Sequence, residues 1–177
     1  MQTQTAELFF SLLTLIALAG AVVVTIARLL RRSRGARELV AAVSPLGLAL
    51  GAVVAITATA GSLYFSEVAN FLPCKLCWFQ RIAMYPLSVI LLIAAIRRDR
   101  DVRWYVVPIA SVGAVISLYH WLLERFPDLD AGVCSVDVPC EFVWFERFGF
   151  ITLPFMALAG FLTILALVTL PATEKED

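Results

Sequence analysis

Five long stretches without a charged residue determine what this chain can fold into. They cover residues 8–27, 39–64, 82–96, 104–123 and 148–170, and the third extends back to residue 76 if Arg81 lies inside it. A helix needs about 20 apolar residues to cross the hydrocarbon core of a bilayer. Only 16% of the 177 residues are charged, against about 25% in soluble domains, and the formal net charge is zero. The pattern predicts an all-α integral membrane protein with five spans, and no basic face for nucleic acid.

The arginines predict the orientation of these spans. Nine of the twelve lie in two alternate linkers. They are Arg28, Arg31, Arg32, Arg34 and Arg37 before the second span, and Arg97, Arg98, Arg100 and Arg103 before the fourth. Arg-rich loops stay in the cytoplasm, so we expect the N-terminus and the acidic loop over residues 124–147 outside, and residues 171–177 inside. Arginines that follow the first span, with none before it, favour a retained helix over a cleaved signal peptide.

All four cysteines fall on the predicted outer side, where disulfides form and persist. Cys74 and Cys77 precede the third span, and Cys134 and Cys140 lie in the acidic loop. Three pairings are possible, and the spacing favours Cys74–Cys77 and Cys134–Cys140. A zinc site made of two cysteine pairs is the alternative, which an oxidising exterior disfavours.

The first pair has the features of a reactive dithiol. Pro73 suits a helix start, and cysteines three residues apart share a helix face. Free N–H groups and the helix dipole stabilise a thiolate there, which lowers the pKa of the thiol. Arg81 falls on the same face about one turn deeper, where an arginine marks a functional site that stabilises a thiolate or binds a carbonyl of a lipophilic acceptor. The alternative is that Arg81 reaches the headgroups and the cysteines form a passive staple.

The loop pair and the single histidine complete the candidate site. Cys134 and Cys140 are exposed among acids, which suits exchange with an external protein; the alternative is a disulfide that only stabilises the loop. His120 lies near the outer end of the fourth span, on one face with Ser117 and Glu124. We interpret His120 as a residue near the acceptor or one that handles protons, with a hydrogen-bonded structural role as the alternative.

These motifs together resemble the disulfide bond formation protein B family (DsbB), in its BdbC-like branch. The resemblance covers about residues 45–170 and rests on three features. They are the Cys74–Cys77 motif that opens a span with Arg81 four residues later, the loop pair with five intervening residues, and the stretch over residues 149–155. The resemblance implies a four-helix redox domain over residues 39–177. Residues 1–38 would then be an additional N-terminal transmembrane helix and an Arg-rich cytoplasmic linker.

The resemblance also implies an activity. A thiol:quinone oxidoreductase of the bacterial cytoplasmic membrane would reoxidise a DsbA-like thioredoxin-fold oxidase on the outer face and pass the electrons to ubiquinone or menaquinone. Cys134 would form the mixed disulfide with this partner, and Cys140 would then attack Cys74. Cys77 would be the thiolate in contact with the quinone, assisted by Arg81, with His120 as a further quinone-binding candidate. The order of attack between Cys134 and Cys140 stays open.

Three other functions remain as alternatives. A vitamin K epoxide reductase-like oxidase uses similar chemistry, but its loop pair precedes the membrane pair, whereas here the order is reversed. A carrier that exports reductant would need cysteines near the cytoplasmic loops. A non-enzymatic scaffold with two structural disulfides would leave Arg81 without a role.

Overall fold

The computed structural model of the chain describes residues 2–30, 32–130, 132–134 and 138–171. Arg31, Asp137 and residues 172–177, which the sequence analysis assigned to sides of the membrane, lie outside these ranges. The described residues form helices joined by turns, with one isolated β-bridge and no strand. The α-helices are α1 (Gln2–Leu29), α2 (Arg34–Val43), α3 (Gly47–Leu63), α4 (Lys75–Arg97), α5 (Arg103–Leu123) and α6 (Leu153–Val168).

Among the described residues, four helical stretches are long and apolar enough to cross a membrane: Thr3–Leu29, Arg34–Val68, Lys75–Arg97 and Arg103–Leu123. The predicted all-α membrane architecture is therefore confirmed. The second stretch is continuous because α2 and α3 are joined by a 3₁₀ turn, Ser44–Leu46, at Pro45. Beyond α3 the chain continues as a π-helical turn, Tyr64–Val68, a feature that is frequent at functional sites.

The fifth predicted span is shorter in the structure than the apolar run that suggested it. Helix α6 has 16 residues, or about 24 Å at 1.5 Å per residue, against about 30 Å of hydrocarbon. Arg147 and Ile151 pair through their backbones, and Phe148 and Gly149 between them have positive φ, so this segment turns instead of extending the helix. A fifth crossing, the outside N-terminus and the division at residue 38 stay predictions.

Hydrogen bonds at one end of the bundle connect each Arg-rich linker to the segment that follows α6, directly from Arg28 and through Ser44 from Arg100. Arg100 donates to the carbonyl oxygen of Ser44 at 2.6 Å, the Ser44 hydroxyl donates to the Pro171 carbonyl, and Arg28 donates to Thr169 Oγ1 at 2.5 Å. Helix α4 then runs 23 residues, about 35 Å, between this end and the cysteines. The molecule thus has an arginine end and a cysteine end, as the charge pattern predicts.

Helices α3 to α6 pack around a shared apolar core. Leu87, Leu91, Val106 and Ile164 are fully buried in it, together with Phe161. Gly113 of α5 lies directly against the Phe161 ring, and a Cβ atom at this glycine would stand 2.4 Å from the ring. Close approach of α5 and α6 therefore requires glycine at this position.

Gly113→Ala should destabilise the protein by about 2 kcal/mol, since the added methyl group displaces the buried Phe161 ring. Thermal unfolding in detergent measures the effect. Gly20→Ala is the matched control on α1, where an added Cβ meets nothing within 4 Å. This control should unfold at or slightly above the wild-type temperature, because alanine has a higher helix propensity than glycine. Equal unfolding temperatures for the two variants would contradict the packing described here.

Candidate dithiol site and the cavity beside it

The fold brings all four cysteines into one apolar cluster at the cysteine end. Cys74 lies just before α4 and packs with Leu76, Leu123 and Cys140. The loop pair Cys134–Cys140 is a disulfide in the structure, as the spacing predicts. Cys140 is almost fully buried beneath the loop, so only part of this pair faces outward.

The second pair differs from the predicted disulfide, because Cys74 and Cys77 are free thiols. Their sulfurs are 2.9 Å apart, which is hydrogen-bonding contact, whereas a disulfide bond is about 2.05 Å long. Cys74 is not in the first helical turn; it caps α4 with an extended backbone, and its sulfur accepts the backbone N–H of Cys77 at 3.3 Å. The structure therefore combines an oxidised loop pair with a reduced pair at the helix start.

His120 lies between the two cysteine pairs. It is 3% exposed, and its Nε2 is 3.6 Å from Cys74 Sγ and 3.1 Å from the Cys140 carbonyl oxygen. The amide nitrogen of Gln80 lies 3.2 Å from Nδ1. With Gln80 donating to Nδ1, a neutral His120 holds its proton on Nε2 and can donate it to either partner. His120 thus contacts the cysteine cluster, and its functional role stays a prediction.

Electrostatic contacts in this cluster favour a thiolate at Cys74. The hydrogen bond from the Cys77 thiol lowers the pKa of Cys74 below its ordinary value; contact with His120 acts in the same direction, and burial opposes both. The capping position of Cys74 turns its sulfur toward His120. The role of Cys77 as the thiolate in contact with a quinone, which the resemblance implies, stays a prediction.

A cavity of about 360 Å³ lies on the other side of Cys77, within the size range of small-molecule sites. Residues from α1, α3, α4 and α6 line it, and its walls are mostly apolar or aromatic. Its polar lining residues include Ser62, Gln80, Arg81 and Tyr85. Cys77 lines this cavity and lies 2.9 Å from Cys74, so it connects the cysteine cluster to an apolar site.

Arg81 is fixed at the cavity edge by α3. Its Nε donates to Ser62 Oγ and its Nη2 to the Ser62 carbonyl oxygen, both at 3.0 Å, and its Cζ lies 5.3 Å from the Trp78 ring centroid. Tyr85 also donates to Ser62 Oγ, at 3.2 Å. A guanidinium carries five N–H groups, so Arg81 can bind Ser62 and still offer donors to the cavity. Cys77 and Arg81 line the same cavity, in line with their spacing on the helix.

An aromatic stack in the cavity wall was not found by sequence reasoning. The rings of Phe71 and Trp144 lie 4.7 Å apart at 11°, and those of Phe65 and Phe71 lie 5.6 Å apart at 13°. All three residues line the cavity. No local pattern pairs these residues, because Trp144 lies far along the chain from Phe65 and Phe71.

Glu124, which the sequence placed on one face with Ser117 and His120, caps the end of α5. Thr152 Oγ1 donates to Glu124 Oε2 at 2.5 Å, while Ser117 donates to the Gly113 carbonyl within its own helix. Burial raises the pKa of the Glu124 carboxyl to about 7, with Thr152 and His120 opposing the shift. Between pH 4.5 and about pH 7, Glu124 therefore keeps its proton in the native protein, whereas the unfolded chain has lost it.

Glu124→Gln should remove a pH dependence of stability. A carboxyl whose pKa is raised in the native state makes its full contribution to stability below its ordinary pKa of 4.5. The contribution falls as the pH rises to about 7, because over this range the unfolded chain loses the proton and the native protein keeps it. Between pH 5 and pH 8 the free energy of unfolding of the wild type should therefore fall by about 1 kcal/mol more than that of Glu124→Gln, which thermal unfolding at each pH measures. Glu141→Gln, at an exposed position of the same loop, is the control. Parallel pH profiles for wild type and Glu124→Gln would show that this carboxyl is not the cause.

Comparisons with known proteins agree with this geometry. Residues 44–138 match the family described as disulfide bond formation protein DsbB, a range that includes Cys74, Cys77, Arg81, His120 and Cys134. The chain is 47% identical over 127 residues to disulfide bond formation protein C of Bacillus subtilis, which covers 71% of this chain and 91% of that protein. It is 50% identical over 108 residues to a probable disulfide formation protein C 1 of Bacillus anthracis, covering 60% of this chain and 78% of that one. No solved structure is detectably similar.

The family match spans more than half of the chain, and the Bacillus subtilis protein is covered almost completely. The family match contains α3, α4 and α5, which belong to three of the four stretches able to cross a membrane, and most of the cysteine cluster at one end of them. The chain therefore belongs to the DsbB family, and it is a multi-pass bacterial membrane oxidoreductase for disulfide formation that acts with a thiol oxidase partner.

Proposed function

We propose that this protein is a dithiol:quinone oxidoreductase of the bacterial cytoplasmic membrane. It takes two electrons from a DsbA-like thioredoxin-fold oxidase on the outer face and passes them to a membrane quinone. The observation that carries the proposal is the position of Cys77, which lines an apolar cavity and contacts Cys74. Cys74 in turn shares His120 with the backbone of Cys140 in the loop pair.

The residues around the cavity suit a quinone. Its ring would lie among the aromatic side chains near Cys77, and the N–H donors of Arg81 and Gln80 would bind a carbonyl oxygen. When bound, a quinone supplies an acceptor for two electrons and two protons, which thiol–disulfide exchange alone cannot provide. Which quinone the cavity takes, ubiquinone or menaquinone, depends on ring size and substituents.

The exchange steps follow from sulfur chemistry, in which a thiolate attacks a disulfide sulfur. A partner thiolate attacks Cys134, the Cys134–Cys140 bond breaks, and Cys140 leaves as a thiolate. Cys140 attacks Cys74 of an oxidised Cys74–Cys77 pair, and Cys77 leaves as a thiolate at the cavity wall. The second partner thiol then attacks the mixed disulfide and displaces Cys134 as a thiolate. Cys134 attacks Cys140, the Cys140–Cys74 bond breaks with Cys74 leaving as a thiolate, and the loop disulfide re-forms.

These exchanges leave an oxidised partner, an oxidised loop pair and a reduced Cys74–Cys77 pair. Cys77 faces the cavity for the final transfer, and re-formation of the Cys74–Cys77 bond releases the two electrons. His120 donates a hydrogen bond that stabilises the Cys74 thiolate. Arg81 stabilises negative charge at the cavity end next to Cys77.

Purified protein in detergent, mixed with a reduced DsbA-like oxidase and a soluble quinone, tests this function. Loss of quinone absorbance should accompany loss of two partner thiols per quinone, over many turnovers. A non-enzymatic scaffold predicts no quinone loss above the background rate. Cys134→Ser separates the two half-reactions: it should block oxidation of the partner but not quinone reduction by a small dithiol that reaches Cys74.

A further inference from the structure

Helix α1 lies outside the matched family region, and its cysteine end is fixed to the loop before α6. Arg147 binds Glu7 Oε2 through both Nη2, at 2.7 Å, and Nε, at 3.2 Å. The Glu7 side chain is buried, although it belongs to a helix that is mostly apolar. A buried carboxylate is stable only when paired, so this contact specifies where α1 packs.

The arginine end of α1 is fixed as well, and one face of the helix is buried along its length. Arg28 donates to Thr169 Oγ1 just after α6, at 2.5 Å. Small or polar residues form the buried face, whereas large apolar residues on the opposite face are exposed, as expected for contact with lipid. The buried residues are Glu7, Ser11, Thr14, Ala21, Val24 and Ala27. Helix α1 is thus held in one position against the bundle.

Part of α1 lines the cavity that contains Cys77 and Arg81. Phe10, Leu13, Thr14 and Ala17 belong to the lining. Thr14 donates its hydroxyl to the Phe10 carbonyl at 2.8 Å, so its hydrogen-bonding capacity is used within α1 and this wall is apolar.

The cavity has a polar end and a deep apolar end. Phe10 packs on Gly61 of α3, where a Cβ atom would stand 2.9 Å from its ring, and the neighbouring residue Ser62 binds Arg81. Phe10 and Arg81 therefore flank the same turn of α3. Ala17 lies seven residues further along α1, about 10 Å deeper, at the end of the cavity lined by Val53.

We propose that α1 is the wall of the acceptor site that binds the isoprenoid tail of the quinone. The inference rests on the proposed function, because it places the ring at the Cys77 end. A tail of methyl-branched isoprene units that starts there continues into the apolar half of the cavity, between α1 and α3. Only a tail-bearing acceptor uses that half, so α1 sets the preference for tailed over tail-free quinones.

Binding measurements on the full chain in detergent test this inference, with quenching of tryptophan fluorescence as the readout. The probes are menadione and menadione that carries two isoprene units, with the matching pair of ubiquinone rings. Ala17→Phe fills the deep half from α1 and should raise the Kd of the tailed forms about tenfold. The Kd of the tail-free forms should stay within about twofold. Ala19→Phe places the same side chain on the exposed face of α1 and should change neither Kd.

An unchanged Kd for the tailed forms, or an equal rise for tailed and tail-free forms, would overturn the inference. If Ala17→Phe does not fold, the wild type can be photolabelled with a quinone that carries a photoreactive group on its tail. Labelling within residues 10–17 supports the tail wall, and labelling confined to α3 and α4 overturns it. A phospholipid acyl chain that displaces the probe as effectively as a tailed quinone would also overturn it. Failure of wild type to bind any quinone would remove the proposed function itself.

Discussion

Cys77→Ser should abolish quinone reduction by at least about a thousandfold, as expected when a group that takes part in the covalent chemistry is removed. Without the Cys77 sulfur, Cys74 cannot form the disulfide whose closure releases the electrons. The loop disulfide stays intact, so each molecule should still oxidise about one equivalent of reduced partner and then stop. Quinone absorbance and partner thiols, followed in the same reaction, measure both effects.

Cys140→Ser is the companion variant, because it interrupts the relay on the other side of Cys74. It should also end turnover, because the reduced partner finds no loop disulfide to attack. Its lone Cys134 thiolate should attack the disulfide of added oxidised partner and hold that partner as a mixed disulfide, which a non-reducing gel detects. Continued turnover in either variant would contradict the relay. Loss of folding without a specific loss of turnover would instead favour two structural disulfides.

Arg81→Ala should raise the KM for quinone by about 10- to 100-fold, the value of one or two charge-assisted hydrogen bonds. The KM for the thiol partner should not change, since Arg81 contacts α3 and the cavity, not the loop pair. Arg81→Lys should recover only part of the loss, because an ammonium cannot reproduce the two bonds to Ser62. Steady-state kinetics in both substrates separate these constants.

Arg125→Ala is the matched control for loss of an arginine at the cysteine end. Arg125 stacks over Trp121, with 4.3 Å from Cζ to the ring centroid, and pairs with Glu146, and it does not belong to the cavity lining. It should leave the quinone KM within about twofold of wild type. If Arg81→Ala lowered the unfolding temperature but left the quinone KM unchanged, Arg81 would be a packing residue only.

Local patterns predicted the parts of this protein that depend on local physics. The bounds of α5 agree closely with an uncharged run, and those of α4 do so once Arg81 is included in the run, because lipid requires a helix wherever an apolar run is long enough. Both cysteine pairs are brought together as spacing suggested. The separation of an arginine end from a cysteine end follows from charge alone.

The rest depends on contacts between segments that are distant in sequence. The extended backbone at Cys74 turns this sulfur toward His120 on α5, so Cys77 alone of the two lines the cavity. The position of α1 depends on Glu7 and Arg147, which are 140 residues apart. Helix periodicity records which residues share a face, but not which neighbouring helix that face meets.

A single-turnover experiment on the protein alone tests the central claim most directly. Protein reduced only at the Cys74–Cys77 pair, without partner or oxygen, is mixed with one equivalent of quinone, and its cysteines are then mapped by alkylation and mass spectrometry. The account predicts stoichiometric loss of quinone and of two thiols, with a new Cys74–Cys77 disulfide and an unchanged Cys134–Cys140 bond. Thiols that persist while quinone is bound, or oxidation at any other pair, would contradict it.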